Sequence, residues 1–245
     1  MPAILTLAGC QTGTLPDPND PIDVGVLSPE TVRRNLYWAN TMLIEREAEG
    51  EITPAQSRDF IARRAKELLG SLDITKVNHD DAWQYAEIFM TAKEWKGAKI
   101  FLEDALKAPK NDDRRVNDSL RLAQVDARLG DYANALKLAR STFNVRDEDG
   151  APVLPAVYLE IAPVVAGHGF DAELAQLIVD AVAVHKRVKV DTNSDPGKAF
   201  VIARRHHILT ALKLALTLAQ TANRPDLAQS IEQEIARNLP NRVSA

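Results

Sequence analysis

From Ser28 onward the chain punctuates itself as a succession of short helices, and that punctuation excludes most other folds. Ser28-Pro29-Glu30 supplies a capping hydroxyl, a proline suited to the first helical position and an acid near the positive helix end. Val32, Leu36, Ala39 and Leu43 follow at helical spacing. Thr53-Pro54-Ala55-Gln56 reads as a capping box opening a second helix, with Ile61, Ala65 and Leu68 on one face. Gly50 and Gly70 stand where these two helices should stop.

Six further stretches carry apolar residues at intervals of three and four: Asp80 to Lys93, Lys96 to Ala108, Asp113 to Leu129, Tyr132 to Asn144, Leu154 to Ala166 and Asp171 to Val188. Breaks fall at Pro109 with Asn111, at Gly130, at Asp147 to Pro152, and at Gly167 with Gly169. Asp195-Pro196 opens another helix, and Pro225 with Asp226 the last. Aromatic residues are only 5% of the chain while alanine and leucine abound, as close helix packing requires. About ten helices joined by short turns predict an all-α fold with no sheet. The apolar stretch Ile208 to Ala219, interrupted by Thr210, Lys213 and Thr217, reads as a core helix and is too short and too polar to span a bilayer.

Residues 1–27 read differently. They are apolar up to the single cysteine, and Gln11 to Leu27 is rich in proline and aspartate without helical period, the composition of an extended tether. Leu7-Ala8-Gly9-Cys10 resembles a bacterial lipobox, which implies lipidation of Cys10 and an anchor in the cell envelope. Gln11 resembles the residue that follows in lipoproteins sorted to an outer membrane. The basic segment of an ordinary secretory signal is missing from these ten residues. The division expected is thus a signal remnant and tether over 1–27, then one helical domain over 28–245.

Two neighbouring segments look like one unit written twice. Lys93-Glu-Trp-Lys-Gly-Ala98 matches Gly130-Asp-Tyr-Ala-Asn-Ala135, and Asn223-Arg-Pro-Asp-Leu-Ala228 is a weaker copy. Upstream of the first two lie Ala86 and Phe89, and Leu122, Ala123 and Ala127. This pattern resembles the tetratricopeptide (TPR) family, whose helix-turn-helix units place small residues where paired helices cross. The resemblance implies a right-handed α-solenoid of about five helical hairpins. It covers 80–144 well and 195–240 loosely, and departs at 154–190, where Pro163 interrupts a helix and Gly169-Phe-Asp replaces the turn. Ala98 and Ala135 are 37 residues apart, against about 34 for a TPR unit.

Candidate chemistry is thin. His206 and His207 are adjacent, with Arg204 and Arg205 before them and His185 upstream. Consecutive helical residues point about 100° apart, so this pair cannot ligate one metal as an i,i+4 pair does. No metal site and no cofactor are expected. Acid clusters at Asp80-Asp81, Asp112-Asp113 and Asp147-Glu148-Asp149 fall at turns or helix starts, where capping accounts for them. Neither a phosphate-binding glycine loop nor a nucleophile elbow is present. Basic residues at 185–189 and 204–205 flank the loop 190–197, but the net charge of −4 argues against nucleic acid as a partner.

TPR arrays bind extended peptides or partner helices along the face lined by the first helix of each pair. Carried onto the better repeats, the resemblance implies a face of Trp83, Gln84, Glu87, Met90 and Thr91, then Asn117, Leu120, Arg121, Gln124 and Arg128. Trp83 has a competing role, packing against the preceding helix pair. The expected function is that of a non-enzymatic TPR-like scaffold or peptide-binding lipoprotein of the cell envelope, partnered by protein or peptide and touching the membrane only through Cys10. Its layout resembles that of lipoprotein subunits in outer-membrane β-barrel assembly and pilus-assembly machines. The alternative is an α/α-scaffold enzyme or carbohydrate-binding protein with Glu87 and Asp126 at its centre.

Overall fold

Helix signals in the sequence become helices at nearly every expected place. A computed structural model of the chain describes residues 26–75, 77–144 and 153–239. The expected lipobox with Cys10, most of the tether, the acids 147–149 and Pro240 lie outside the described residues. The described chain is all-α: α1 (Pro29–Ala48), α2 (Pro54–Leu69), α3 (Ala82–Thr91), α4 (Trp95–Ala105), α5 (Asp112–Arg128), α6 (Tyr132–Ser141), α7, α8 (Asp171–Arg187), α9 (Asp195–Thr221) and α10 (Pro225–Asn238). Helix α7 comprises Val153–Pro155, a π-helical stretch Ala156–Ile161, and Ala162–Val165. Among the described residues the only strand-like feature is an isolated parallel bridge between Leu27 and Leu72. Leu27, expected in the tether, donates its amide to the Ser71 carbonyl at 2.6 Å and so belongs to the folded part.

The caps explain where helices begin. Ser28 Oγ accepts from the Thr31 amide, and Thr53 and Gln56 satisfy one another reciprocally as a full capping box. At the acid clusters, however, asparagines do the capping. Asn78 and Asn111 accept from the amides of Asp80 and Arg114, while Asp80, Asp81, Asp112 and Asp113 fill the first turns, where the helix dipole favours negative charge. Asn78 also starts a 3-10 turn over His79–Asp81, so α3 begins two residues later than the sequence spacing predicts.

Helix ends reveal a shared device. After α1, α3, α5 and α9 one residue takes the left-handed conformation: Gly50 (φ 75°), Lys93 (φ 60°), Gly130 (φ 87°) and Asn223 (φ 53°). The next residue's amide then reaches back five positions, Glu51 to Arg46, Glu94 to Phe89, Asp131 to Asp126 and Arg224 to Ala219. Three of these four residues open the segments that match in sequence, and the alanines closing those segments, Ala98, Ala135 and Ala228, are buried. A Cβ at Gly130 would meet nothing within 4 Å, so only backbone strain opposes one. Gly130→Ala is therefore expected to cost about 1 kcal/mol, visible as a lowered thermal midpoint with unchanged helicity.

Pro163 does not break its helix. A proline there has no amide for the Leu159 carbonyl, and the backbone absorbs the loss by widening: the Ala162 amide bonds the Val157 carbonyl, five residues back.

The chain divides into two compact units, Met1–Glu94 and Trp95–Ala245. In the first, α1, α2 and α3 pack mutually around Val32, Leu36, Ala65, Ala86 and Ile88. In the second, α4 packs on α5, α5 on α6, and α8 on α9, which in turn packs on α10. The core of this unit runs from Val116 through Ile161, Leu177 and Leu212 to Ile231. Ile208, Leu212 and Ala219 are buried on the 27-residue α9, as the apolar stretch from Ile208 predicts.

Candidate functional site

The residues expected to line a binding face separate into two sets, each within its own unit. In the first unit α3 presents Trp83, Gln84, Glu87 and Met90, all half-buried. Arg33 of α1 organises three of them. Its guanidinium sits 4.2 Å from the centre of the Trp83 ring, pairs with the Glu87 carboxylate and donates to Gln84 Oε1 at 3.5 Å. Gln84 donates in turn to Asp81 at 2.8 Å, and Thr91 spends its hydroxyl on the Glu87 carbonyl. One face of Trp83 is thus covered by a neighbouring helix, the competing role weighed for it from sequence. Nothing local in the sequence marks Arg33, which lies 54 residues before Glu87.

In the second unit Asn117, Arg121, Gln124 and Arg128 form a row along α5 at helical spacing. Leu120, grouped with them from sequence, is only 4% exposed and belongs to the hydrophobic core. It is one residue out of the row, and an apolar side chain there turns inward. Asn117 bonds the Asp113 carbonyl of its own helix. Arg121 and Arg114 both donate to Asp118 Oδ1, at 3.2 and 2.7 Å. Asp118 is 2% exposed, and burial raises its carboxyl above the ordinary range despite these two guanidiniums. Arg128 is exposed, its guanidinium 5.6 Å from the centre of the Trp95 ring.

Gln124 reaches furthest, donating to Glu160 Oε2 of α7 at 3.0 Å. Glu160 and the half-exposed Leu159 sit in the π-helical stretch that Pro163 provokes, which turns them outward beside the α5 row. No sequence motif marks these two residues. Pro163 is the local signal of the widened turn that carries them.

Each carboxylate of the alternative catalytic reading is held by a cation. Glu87 pairs with Arg33. Asp126 is fully buried and uses both oxygens, Oδ1 accepting from Lys99 Nζ and Oδ2 from Asn134 Nδ2, each at 2.6 Å. That arrangement ties α4, α5 and α6 together and presents no acid to solvent.

The histidines are separated by burial. His206 is exposed, His207 accepts from or donates to the Tyr158 hydroxyl through Nδ1 at 2.6 Å, and His185 is 4% exposed. Burial, then the charge of Arg204 and then His207, lower the His185 imidazole to about 4. Among the described residues no group of three or more His, Cys, Asp or Glu converges as a metal site. Four basic residues near 185–205 are engaged within the chain: Lys186 with Glu234, Arg187 with the Phe143 carbonyl, Arg204 with the Val188 carbonyl and Arg205 with the Asn238 carbonyl.

No family model matches this chain, and no curated protein sequence matches it significantly.

Proposed function

We propose that this protein is a non-enzymatic, TPR-like helical-repeat lipoprotein of the cell envelope that binds an extended peptide or partner helix along α5. The observation that carries this reading is the row Asn117, Arg121 and Gln124, half-buried on α5 and extended onto α7 by Glu160. Such a row offers amide donors and acceptors, a guanidinium and a carboxylate at regular spacing, suited to a peptide backbone and its side chains. The recurrent left-handed turns support the repeat, because one closing geometry brackets the segments that match in sequence. The complete burial of Asp126 speaks against an acid/base centre. Lipidation rests on the Leu7-Ala8-Gly9-Cys10 sequence.

A photo-reactive residue at Gln124 of the full chain in intact envelopes is expected to give a discrete adduct, and the same residue at the exposed Lys137 of α6 none. Equal labelling from both positions, or none from Gln124, removes this face. Incorporation of radiolabelled palmitate that disappears in Cys10→Ser tests the anchor separately.

A further inference from the structure

Two charges on the α5 face have no ionic partner among the described residues. Glu160, exposed on the π-helical stretch of α7, accepts one hydrogen bond, from the Gln124 amide, and pairs with no lysine or arginine. Arg128, exposed one turn after Gln124 on α5, meets only the Trp95 ring. Their neighbours behave otherwise. Arg114 and Arg121 each give a donor to the buried Asp118, and Lys99 with Asn134 closes off Asp126. Glu160 and Arg128 both stand next to Gln124 within the second unit, yet they do not pair with each other.

We infer that this face selects its peptide by charge: a lysine or arginine of the ligand meets Glu160, and an aspartate or glutamate two residues away meets Arg128. The inference rests on the peptide-binding reading and adds the class of ligand. Gln124 and Arg128 are four residues apart on α5, about 6 Å along the helix axis. Side chains at alternate positions of an extended peptide project to one side about 7 Å apart, so one short segment spans both charges. The aliphatic stem of a basic residue at Glu160 packs on Leu159, which is 51% exposed beside it. A guanidinium beside an aromatic ring keeps its N–H edge for a carboxylate, which it grips through two hydrogen bonds. Charge complementarity chooses this occupant over others. A purely anionic ligand sets its charge against Glu160, and a purely apolar one buries both charges unpaired. Exposed charges of this kind decide which partner is accepted more than how tightly it is held.

The test selects random peptides displayed on phage against the purified full chain, then titrates synthetic copies of the enriched ones by fluorescence polarisation. Enriched peptides are expected to share a basic and an acidic residue two positions apart. Glu160→Lys is expected to weaken such a peptide about tenfold, and Arg128→Glu likewise. Helicity should not change in either variant, because both side chains are exposed. Exchanging the peptide's basic residue for glutamate should weaken its binding to the wild type and restore binding to Glu160→Lys, a reversal that a merely structural role does not produce. Enriched peptides without the charge pair overturn the inference and leave the peptide-binding reading standing. Affinity unchanged in either variant has the same consequence, as does an exchange that restores nothing. Absence of any enriched peptide overturns both.

Discussion

Replacing Lys99 with methionine is expected to destabilise the second unit by about 3 kcal/mol, read as a lower urea midpoint at unchanged slope. Methionine preserves the length and apolar stem of the side chain, so packing on α5 changes little. What is lost is the cation on a carboxylate with no exposure of its own. Asp126 would keep only the Asn134 amide, and an ionised group with one neutral donor is costly to hold inside a protein. Lys99, 30% exposed, is itself held above its ordinary range chiefly by the hydrogen bond to Asp126. The double variant Lys99→Met, Asp126→Leu removes both charges, and its cost is expected to fall well below the sum of the single costs. Additive costs would show that the two side chains do not act on one another.

The second large effect is a dependence on pH centred on His185. The folded state holds its imidazole neutral down to about 4, whereas an unfolded histidine takes a proton near its ordinary 6.5. Below 6.5 the unfolded chain therefore binds a proton that the folded chain refuses. Stability is full above that value, falls as pH drops, and stops falling below about 4. A displacement of that size corresponds to roughly 3 kcal/mol, reduced to about 2 by partial solvent screening around the cluster. The paired carboxylates Asp226 and Glu234 are held low, so their contributions fade at more acid pH than the upper part of this window. Unfolding free energies from urea titrations at pH 7.5 and pH 5 should accordingly differ in the wild type by about 1 kcal/mol and much less in His185→Leu. An equal pH dependence in both proteins would show that His185 is protonated in the folded state.

Most of the helical framework is legible in the sequence because its signals are local. The Ser28 cap, the Thr53–Gln56 box and the prolines at first helical positions act within one turn, and the structure shows them as expected. Boundaries slip where two local signals compete, as at Asn78, whose capping side chain starts a 3-10 turn ahead of α3. The site is less legible because its partners are distant. Arg33 meets Glu87 across 54 residues, and Gln124 meets Glu160 across 36. Leu120 illustrates a second limit: a spacing argument carried from a family places a residue on a face, but one step of 100° separates the row of Arg121 from the core. The π-helical stretch before Pro163 follows from an absent amide, yet which side chains the widened turn sends outward depends on packing against α5.

A chain built this way keeps its likeness between segments in torsion angles more than in letters. The turns closing α1, α3, α5 and α9 share one hydrogen-bond pattern, although glycine, lysine and asparagine occupy the left-handed position. A side chain at such a position costs roughly 1–2 kcal/mol, little enough that lysine and asparagine stand there as well as glycine. The likeness of these four turns is therefore carried by the backbone, in a left-handed residue and the bond behind it, and the residue type at that position says little about whether the turn is there.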